Sequence, residues 1–267
     1  MTAADPILRL EAVSKHFGGL QVVEDLSFAV RRGRRTALIG PNGAGKTTVF
    51  NLITGVFRLD AGRILLDGVD IAGLPSRRRI GHGIARSFQN IRLMPHLSTL
   101  ENVMVGQHCR NGGLGVLQPV NLVPRNRWRE EARAALAAAG LDGYERATVG
   151  SLPYGVQKRI ELTRALMARP RLLLLDEPAA GLNPTETEAL QAQLEAICAD
   201  GGPTLMVVEH DMHFIGALCE DVIVLDFGRK IAEGSPEAIR QNPLVQQTYL
   251  GIPAAEPAER RHAARSA

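Results

Sequence analysis

The sequence predicts an α/β fold: a mostly parallel sheet, an antiparallel β patch at the N-terminus and an inserted α-helical subdomain. Three observations carry that prediction. Short apolar runs such as Leu172-Leu173-Leu174-Leu175 and Thr204-Leu205-Met206-Val207-Val208 alternate with stretches of helical spacing, as expected of strands buried on both faces. The first third is strand-rich and broken by Gly-rich turns. From about 98 to 165 the chain changes character, with helical spacing and an Ala- and Arg-rich stretch.

In chain order, Ile7 to Val13 reads as a first strand and Gln21 to Val30 as a second, with Gly33 in a turn. Thr36 to Ile39 is a short buried strand. Thr47 to Thr54 is a helix that stops near Gly55, a suitable C-terminal cap. Gly62-Arg63-Ile64-Leu65-Leu66-Asp67-Gly68 is a hairpin arm ending in an Asp-Gly turn. Leu100 to Gly106 has helical spacing, and residues 111–127 read as a loop. Trp128 to Ala139 is a helix ending at Gly140, and Arg159 to Ala168 an amphipathic helix closed by Pro170. Thr185 to Ala199 is a further helix and Val222 to Leu225 a further strand. One domain is expected over 7–251. The Ala-, Pro-, Glu- and Arg-rich tail, 252–267, is expected to be disordered.

Composition excludes several classes. At 267 residues and 45% hydrophobic the chain can build a core. A net charge of +3 is too small to point to nucleic acid. Basic clusters at Arg31-Arg32-Arg34-Arg35 and Arg77-Arg78-Arg79 suggest either solvated loops or contact with an anionic surface. Cys109, Cys198 and Cys219 lack metal or redox spacing and suit free thiols in a reducing compartment. His210 and His213 have no further ligand cluster to suggest zinc. No run approaches about 18 apolar residues, and the N-terminus lacks a secretory pattern. A role at a membrane therefore requires another chain to hold this one there.

The strongest chemical signal is Gly40-Pro41-Asn42-Gly43-Ala44-Gly45-Lys46-Thr47-Thr48, placed between the Thr36–Ile39 strand and the following helix. Glycines let the backbone curl so that successive N–H groups point at one anion, and the helix beginning at Lys46 adds its positive end. Lys46 can reach outer phosphates and the Thr47 hydroxyl can ligate Mg2+. This makes the α/β fold a P-loop NTPase core. The second signal is Asp176-Glu177, an acidic pair closing the Leu172–Leu175 strand, where α/β sheets bind ligands. Asp176 can hold the metal, directly or through water, and Glu177 can polarise an attacking water.

The order of these motifs resembles the ATP-binding subunits of ABC transporters, over roughly Ile7 to Gly251. The resemblance implies that Phe17 stacks on adenine, and that Gln89, in Ser87-Phe88-Gln89-Asn90, touches Mg2+ and the attacking water. It implies a γ-phosphate contact for His210, and an interface loop at Ala180-Gly181-Leu182-Asn183, where the family's usual Asp is Asn183. The family signature Leu-Ser-Gly-Gly-Gln is Leu152-Pro153-Tyr154-Gly155-Val156 here, so the Ser hydroxyl is gone. Gly155 and the helix N-terminus that follows can still offer N–H groups, and a first-turn Pro153 loses no helical bond. An altered but working site is implied.

In this family the signature of one chain completes the ATP site of another. The resemblance therefore implies a second cassette, identical or related, two membrane permease subunits and, indirectly, a periplasmic solute-binding protein. It implies a peripheral location on the cytoplasmic face of a bacterial inner membrane. The stretch Gly83 to Gly106 and the ending Asn242-Pro243-Leu244-Val245-Gln246-Gln247-Thr248-Tyr249-Leu250-Gly251 resemble the branched-chain amino acid importers, as does Leu-Pro-Tyr-Gly. Importers of urea, amides or aromatic acids look similar. A soluble ABC ATPase acting on ribosomes or DNA is disfavoured by a single cassette without a long coiled-coil insertion. A regulator without catalysis is disfavoured by the retained Lys46, Asp176, Glu177, Gln89 and His210.

Overall fold

The structure, a computed structural model, describes residues 5–87, 91–110, 125–199 and 201–248. The tail 252–267 and the proposed loop over 111–124 lie outside the described residues. The N-terminal patch is antiparallel, as its turn signals predict. β1 (Pro6–Phe17) pairs with β2 (Leu20–Arg31) and, on its other edge, with β4 (Ala61–Leu66). The Asp67-Gly68 turn returns the chain into the short β5 (Val69–Asp70), giving the order β2-β1-β4-β5. β1 runs on past Val13, which carries Phe17 to the sheet's end.

The second sheet holds β3 (Arg35–Ile39), β6 (Ile84–Arg86), β7 (Leu172–Asp176), β8 (Thr204–Val208), β9 (Asp221–Asp226) and β10 (Arg229–Gly234). Its order is β10-β9-β3-β8-β7-β6, parallel except for β10. Every residue of β7 and β8 is buried, because both faces of this sheet are covered. Leu38, Leu172, Leu174, Met206, Val208 and Ile223 pack with Val49, Phe50 and the antiparallel patch. Their neighbours Ile39, Leu173, Leu175, Leu205, Val207 and Val224 pack with Leu190, Leu194, Phe214 and Ile215. The unbroken apolar runs in the sequence are thus two alternating sets serving two cores.

Nine α-helices lie among the described residues: α1 (Lys46–Ile53), α2 (Ser76–Gly81), α3 (Thr99–Val105), α4 (Arg125–Ala138), α5 (Tyr154–Leu166), α6 (Pro184–Cys198), α7 (Met212–Leu218), α8 (Pro236–Gln241) and α9 (Pro243–Thr248). α3, α4 and α5 share a third apolar cluster around Val103, Leu136, Val149 and Ile160. Two sequence expectations are corrected here. Arg125 to Arg127 are helical, not loop, and α5 begins at Tyr154 rather than Arg159. Apolar spacing missed the first turn of α5 because Gly155, Gln157 and Lys158 interrupt it. Pro153 is correspondingly the residue before the helix, in extended backbone, rather than in its first turn. Among these helices none is long and apolar enough to cross a membrane.

Both basic clusters form bonds within the chain. Arg31 and Arg34 pair with Asp221, Arg35 with Glu220 and Arg32 with Asp67. Arg79 is 2% exposed and donates to Leu52 O at 2.5 Å, Ile53 O at 2.8 Å, Leu74 O at 2.9 Å and Ala72 O at 2.9 Å. It closes the C-terminus of α1 with a cation, where carbonyls lack helical partners and the helix dipole is negative. Burial lowers its pKa, and Asp70 works against that shift.

Candidate nucleotide-binding site

The chain leaves β3 at the carboxyl edge of the parallel sheet and curls into α1. Two glycines make the curl possible. A Cβ on Gly40 (φ 152°) would stand 2.1 Å from Leu225 O, and one on Gly45 (φ 96°) 2.9 Å from Val22 O. The loop is therefore fitted between the end of β9 and β2. Lys46 donates from Nζ to Gly40 O at 2.7 Å and Pro41 O at 2.9 Å, tying the curl across its mouth. Burial lowers the Lys46 pKa, while Glu177 and Asp176 favour its charge. No side chain caps α1 at Gly45, which leaves its first N–H groups available to an anion. Ala44 is buried, Pro41, Gly45 and Thr48 are half-buried, and Asn42, Gly43 and Thr47 are exposed.

β8 lies between β3 and β7, and the register sets Leu38 beside Val208 and Val208 beside Asp176. The loop, Asp176 and His210 therefore leave the sheet along one edge, the ligand edge of such folds. Asp176 is 4% exposed. Glu177 adopts a left-handed backbone (φ 48°) and donates its N–H to Val208 O at 2.9 Å. That conformation is strained for a non-glycine residue and turns the chain off the sheet at this carboxylate. His210 is exposed beyond β8, with Nδ1 3.8 Å from Glu209 Oε2. Gln89 lies outside the described residues.

Two residues at this edge escaped the sequence reading. Glu209 is 1% exposed and accepts from Ala179 N at 2.9 Å and His210 N at 3.1 Å. It joins the backbone after Glu177 to that of His210, and burial pushes its carboxyl pKa up. Arg86, on β6, donates to Asp176 Oδ2 at 2.5 Å and to Asn51 Oδ1 on α1 at 2.6 Å. The available signal was a lone cation beside Ile84 and Ala85, in a strand too short for pattern reading.

Phe17 ends β1 and is 41% exposed. Phe57 braces it edge-on at 5.0 Å between centroids, and Lys15 Nζ stands 5.3 Å from its centroid. An aromatic face held this way is a platform for a flat ring. The signature segment sits elsewhere: α5 packs on α3, α4 and β6, none of which carries the glycine loop. Leu152 is half-buried, Pro153 and Tyr154 are exposed and Gly155 is buried. A Cβ on Gly155 would meet the Glu186 carboxyl at 2.5 Å, and one on Gly181 the Tyr154 ring at 3.2 Å. Signature and Ala180–Asn183 loop are thus packed together. Asn183 caps α6 by accepting from Glu186 N at 2.9 Å, while the Glu186 carboxylate accepts from Asn183 N at 3.0 Å. An amide caps as well as a carboxylate, so the departure from Asp keeps this turn intact.

A protein-family profile described as ABC transporter matches residues 23–180, which include the glycine loop, the signature segment and Asp176-Glu177. The chain belongs to the ABC transporter family. This ABC cassette also matches, over residues 229–255, a family described as branched-chain amino acid ATP-binding cassette transporter. It is 39% identical over 251 residues to BraF of Pseudomonas aeruginosa, a high-affinity branched-chain amino acid transport ATP-binding protein. That match covers 92% of this chain and 98% of BraF. LivG of Escherichia coli K12, of the same description, is 37% identical over 255 residues, covering 93% of this chain and 99% of its own. Among solved structures, the ADP conformation of an ATP-binding cassette of an ABC transporter aligns with a TM-score of 0.82 and 30% identity, over 93% of this chain and 100% of that one. A nucleotide-free cassette aligns with a TM-score of 0.81 and 29% identity, over 92% and 99%. The cassette is a P-loop NTPase of the ABC ATPase type.

Proposed function

We propose that this cassette is the ATP-hydrolysing subunit of an importer of branched-chain amino acids. It works as one of two cassettes beneath two membrane permeases, on the cytoplasmic face of a bacterial inner membrane, with cargo delivered by a periplasmic solute-binding protein. The observation that carries the reading is end-to-end similarity to BraF and LivG. The site's chemistry fits it. The amides from Gly40 to Thr48 and the Lys46 ammonium bind the phosphates, and Phe17 stacks on adenine. The donor set of one buried carboxylate, Asp176, and one hydroxyl, Thr47, suits Mg2+, which takes few protein oxygens and completes its shell with phosphate and water. When bound, Mg2+ neutralises phosphate charge.

Glu177 accepts a proton from the attacking water, and the His210 ring donates to the γ-phosphate. Gln89 orients that water. Leu152, Pro153, Tyr154 and Gly155 of one cassette close the ATP site of the other, where amides at the start of α5 add anion donors. Loss of the γ-phosphate removes those donors' ligand, and the two cassettes part.

The test is reconstitution with the permeases and the binding protein in vesicles. Uptake of labelled leucine, isoleucine or valine that requires ATP supports the reading. A complex that hydrolyses ATP but moves none of the three rejects the cargo, and failure of the purified chain to bind labelled ATP rejects the site. Glu177→Gln is expected to keep ATP binding and lower turnover by at least about a hundredfold, because only water activation is lost. Unchanged hydrolysis would remove Glu177 from that role.

A further inference from the structure

Asp176 is a carboxylate at the end of a fully buried strand, and such a group needs a cation. In this structure the cation in contact with it is the guanidinium of Arg86. Arg86 and Asp176 side chains are 7% and 6% exposed, with Nη2 to Oδ2 at 2.5 Å. Nη1 binds Asn51 Oδ1 at 2.6 Å, and the guanidinium carbon stands 5.5 Å from the Phe50 ring centroid. Arg86 is thus anchored to α1, the helix that follows the phosphate loop. We propose that Arg86 is a resident counter-ion at the edge of Asp176 that a divalent metal takes, so that metal binding and the Arg86–Asp176 pair compete. The inference rests on the reading of Asp176 as the metal carboxylate.

The physical argument is like-charge repulsion across one carboxylate. A dication arriving at Asp176 meets a fixed positive charge already within hydrogen-bond reach, in surroundings that screen poorly. Lys46 and Lys158 also act electrostatically on this carboxylate, so the cationic side of the site is already crowded. Release of Arg86 frees a residue on β6, the strand that leads directly toward Gln89. Without the metal, the same pair keeps a buried carboxylate compensated.

The experiment measures Mn2+ binding by electron paramagnetic resonance to the ADP-saturated full chain, for wild type, Arg86→Gln and Arg86→Lys. Removing the charge is expected to tighten Mn2+ binding about tenfold, the size of a close like-charge effect. Arg86→Lys, which keeps the charge, stays close to wild type. Equal or weaker Mn2+ binding in Arg86→Gln overturns the proposal. Should that variant fail to fold, wild-type protein with 15N-labelled arginine decides the matter, with the Arg86 side-chain signal assigned through Arg86→Lys. That signal is expected to shift on Mg2+–ADP but not on ADP alone, and an unchanged signal overturns the proposal. If wild type binds no labelled ADP, the nucleotide reading itself fails. If ADP binds and Arg86→Gln changes nothing, only this inference fails.

Discussion

Single side chains set the site's chemistry, and two of them lend themselves to direct tests. Phe17 is exposed at the end of β1, with its ring braced by Phe57 and Lys15 Nζ standing over it. Replacing it with Ala removes a stacking surface worth about 1 kcal/mol, so ATP affinity should fall roughly five- to tenfold while maximal rate changes less. Titration with a fluorescent ATP analogue measures this, and unaltered affinity would return Phe17 to a packing role. Arg79 shows the opposite case, a charged residue with a structural task. Arg79→Met removes the guanidinium from four carbonyls, of which Leu52 O keeps Gly55 N as donor, and should destabilise the chain by about 3 kcal/mol in urea unfolding. A loss below about 1 kcal/mol would mean that water replaces the guanidinium. In the sequence Arg79 was indistinguishable from Arg77 and Arg78, because its partners come from α1 and from the turn at Ala72 and Leu74. The cysteines are legible as free thiols from their spacing. Burial then pushes Cys198 up to about 11 and Cys219 to about 12, which keeps both unreactive.

At the scale of elements, caps and register position what the residues do. α6 begins with a reciprocal capping box between Asn183 and Glu186. Asn183→Ala is expected to lower stability by about 1 kcal/mol, and Asn183→Asp to leave it within about 0.5 kcal/mol. Thermal unfolding separates the two; equal losses would show that the cap contributes nothing specific. Elements that carry an unbroken apolar run or a motif were legible because those signals are local. β8 falls at Thr204–Val208 as its apolar run indicates, and the glycine loop fixes the start of α1. β6, β10, α2, α7, α8 and α9 were not, since they are short and carry neither an unbroken apolar run nor a motif, which leaves too few residues to show a period. α5 was cut short for a related reason. Its buried face includes Lys158 and Glu161, which read as exposed by composition. Glu161 instead accepts from Arg92 N at 3.1 Å, while Arg164 donates to Arg92 O at 2.7 Å. Helix α5 thereby holds the chain just beyond the Gln89 segment.

For the whole molecule, charge ties together parts that are distant in sequence. Asp221 opens β9 and takes Arg31 from the end of β2 and Arg34 from the turn before β3. Burial alone would push its carboxyl up, but the hydrogen bonds from Arg34 and Arg31 outweigh this and hold it below the usual range. A carboxyl lowered in the folded state stabilises above its unfolded pKa, and that contribution is lost as pH falls through the folded value. Asp221→Asn should therefore melt below wild type at pH 7, and the two should converge once the pH falls below the lowered folded value of Asp221. A deficit that persists unchanged in acid would mark a packing effect instead.

The sequence by itself determined the fold class, the phosphate loop, the acidic pair and the family, because each is written in contiguous residues whose chemistry depends on local backbone. Only the tertiary structure decided which cation stands against Asp176, what Arg79 closes, and that Glu209 joins the turn after β7 to His210. Those contacts join residues from separate strands and helices. A carboxylate's partner is set by which strand lies beside it, and no local pattern in a single chain records that adjacency.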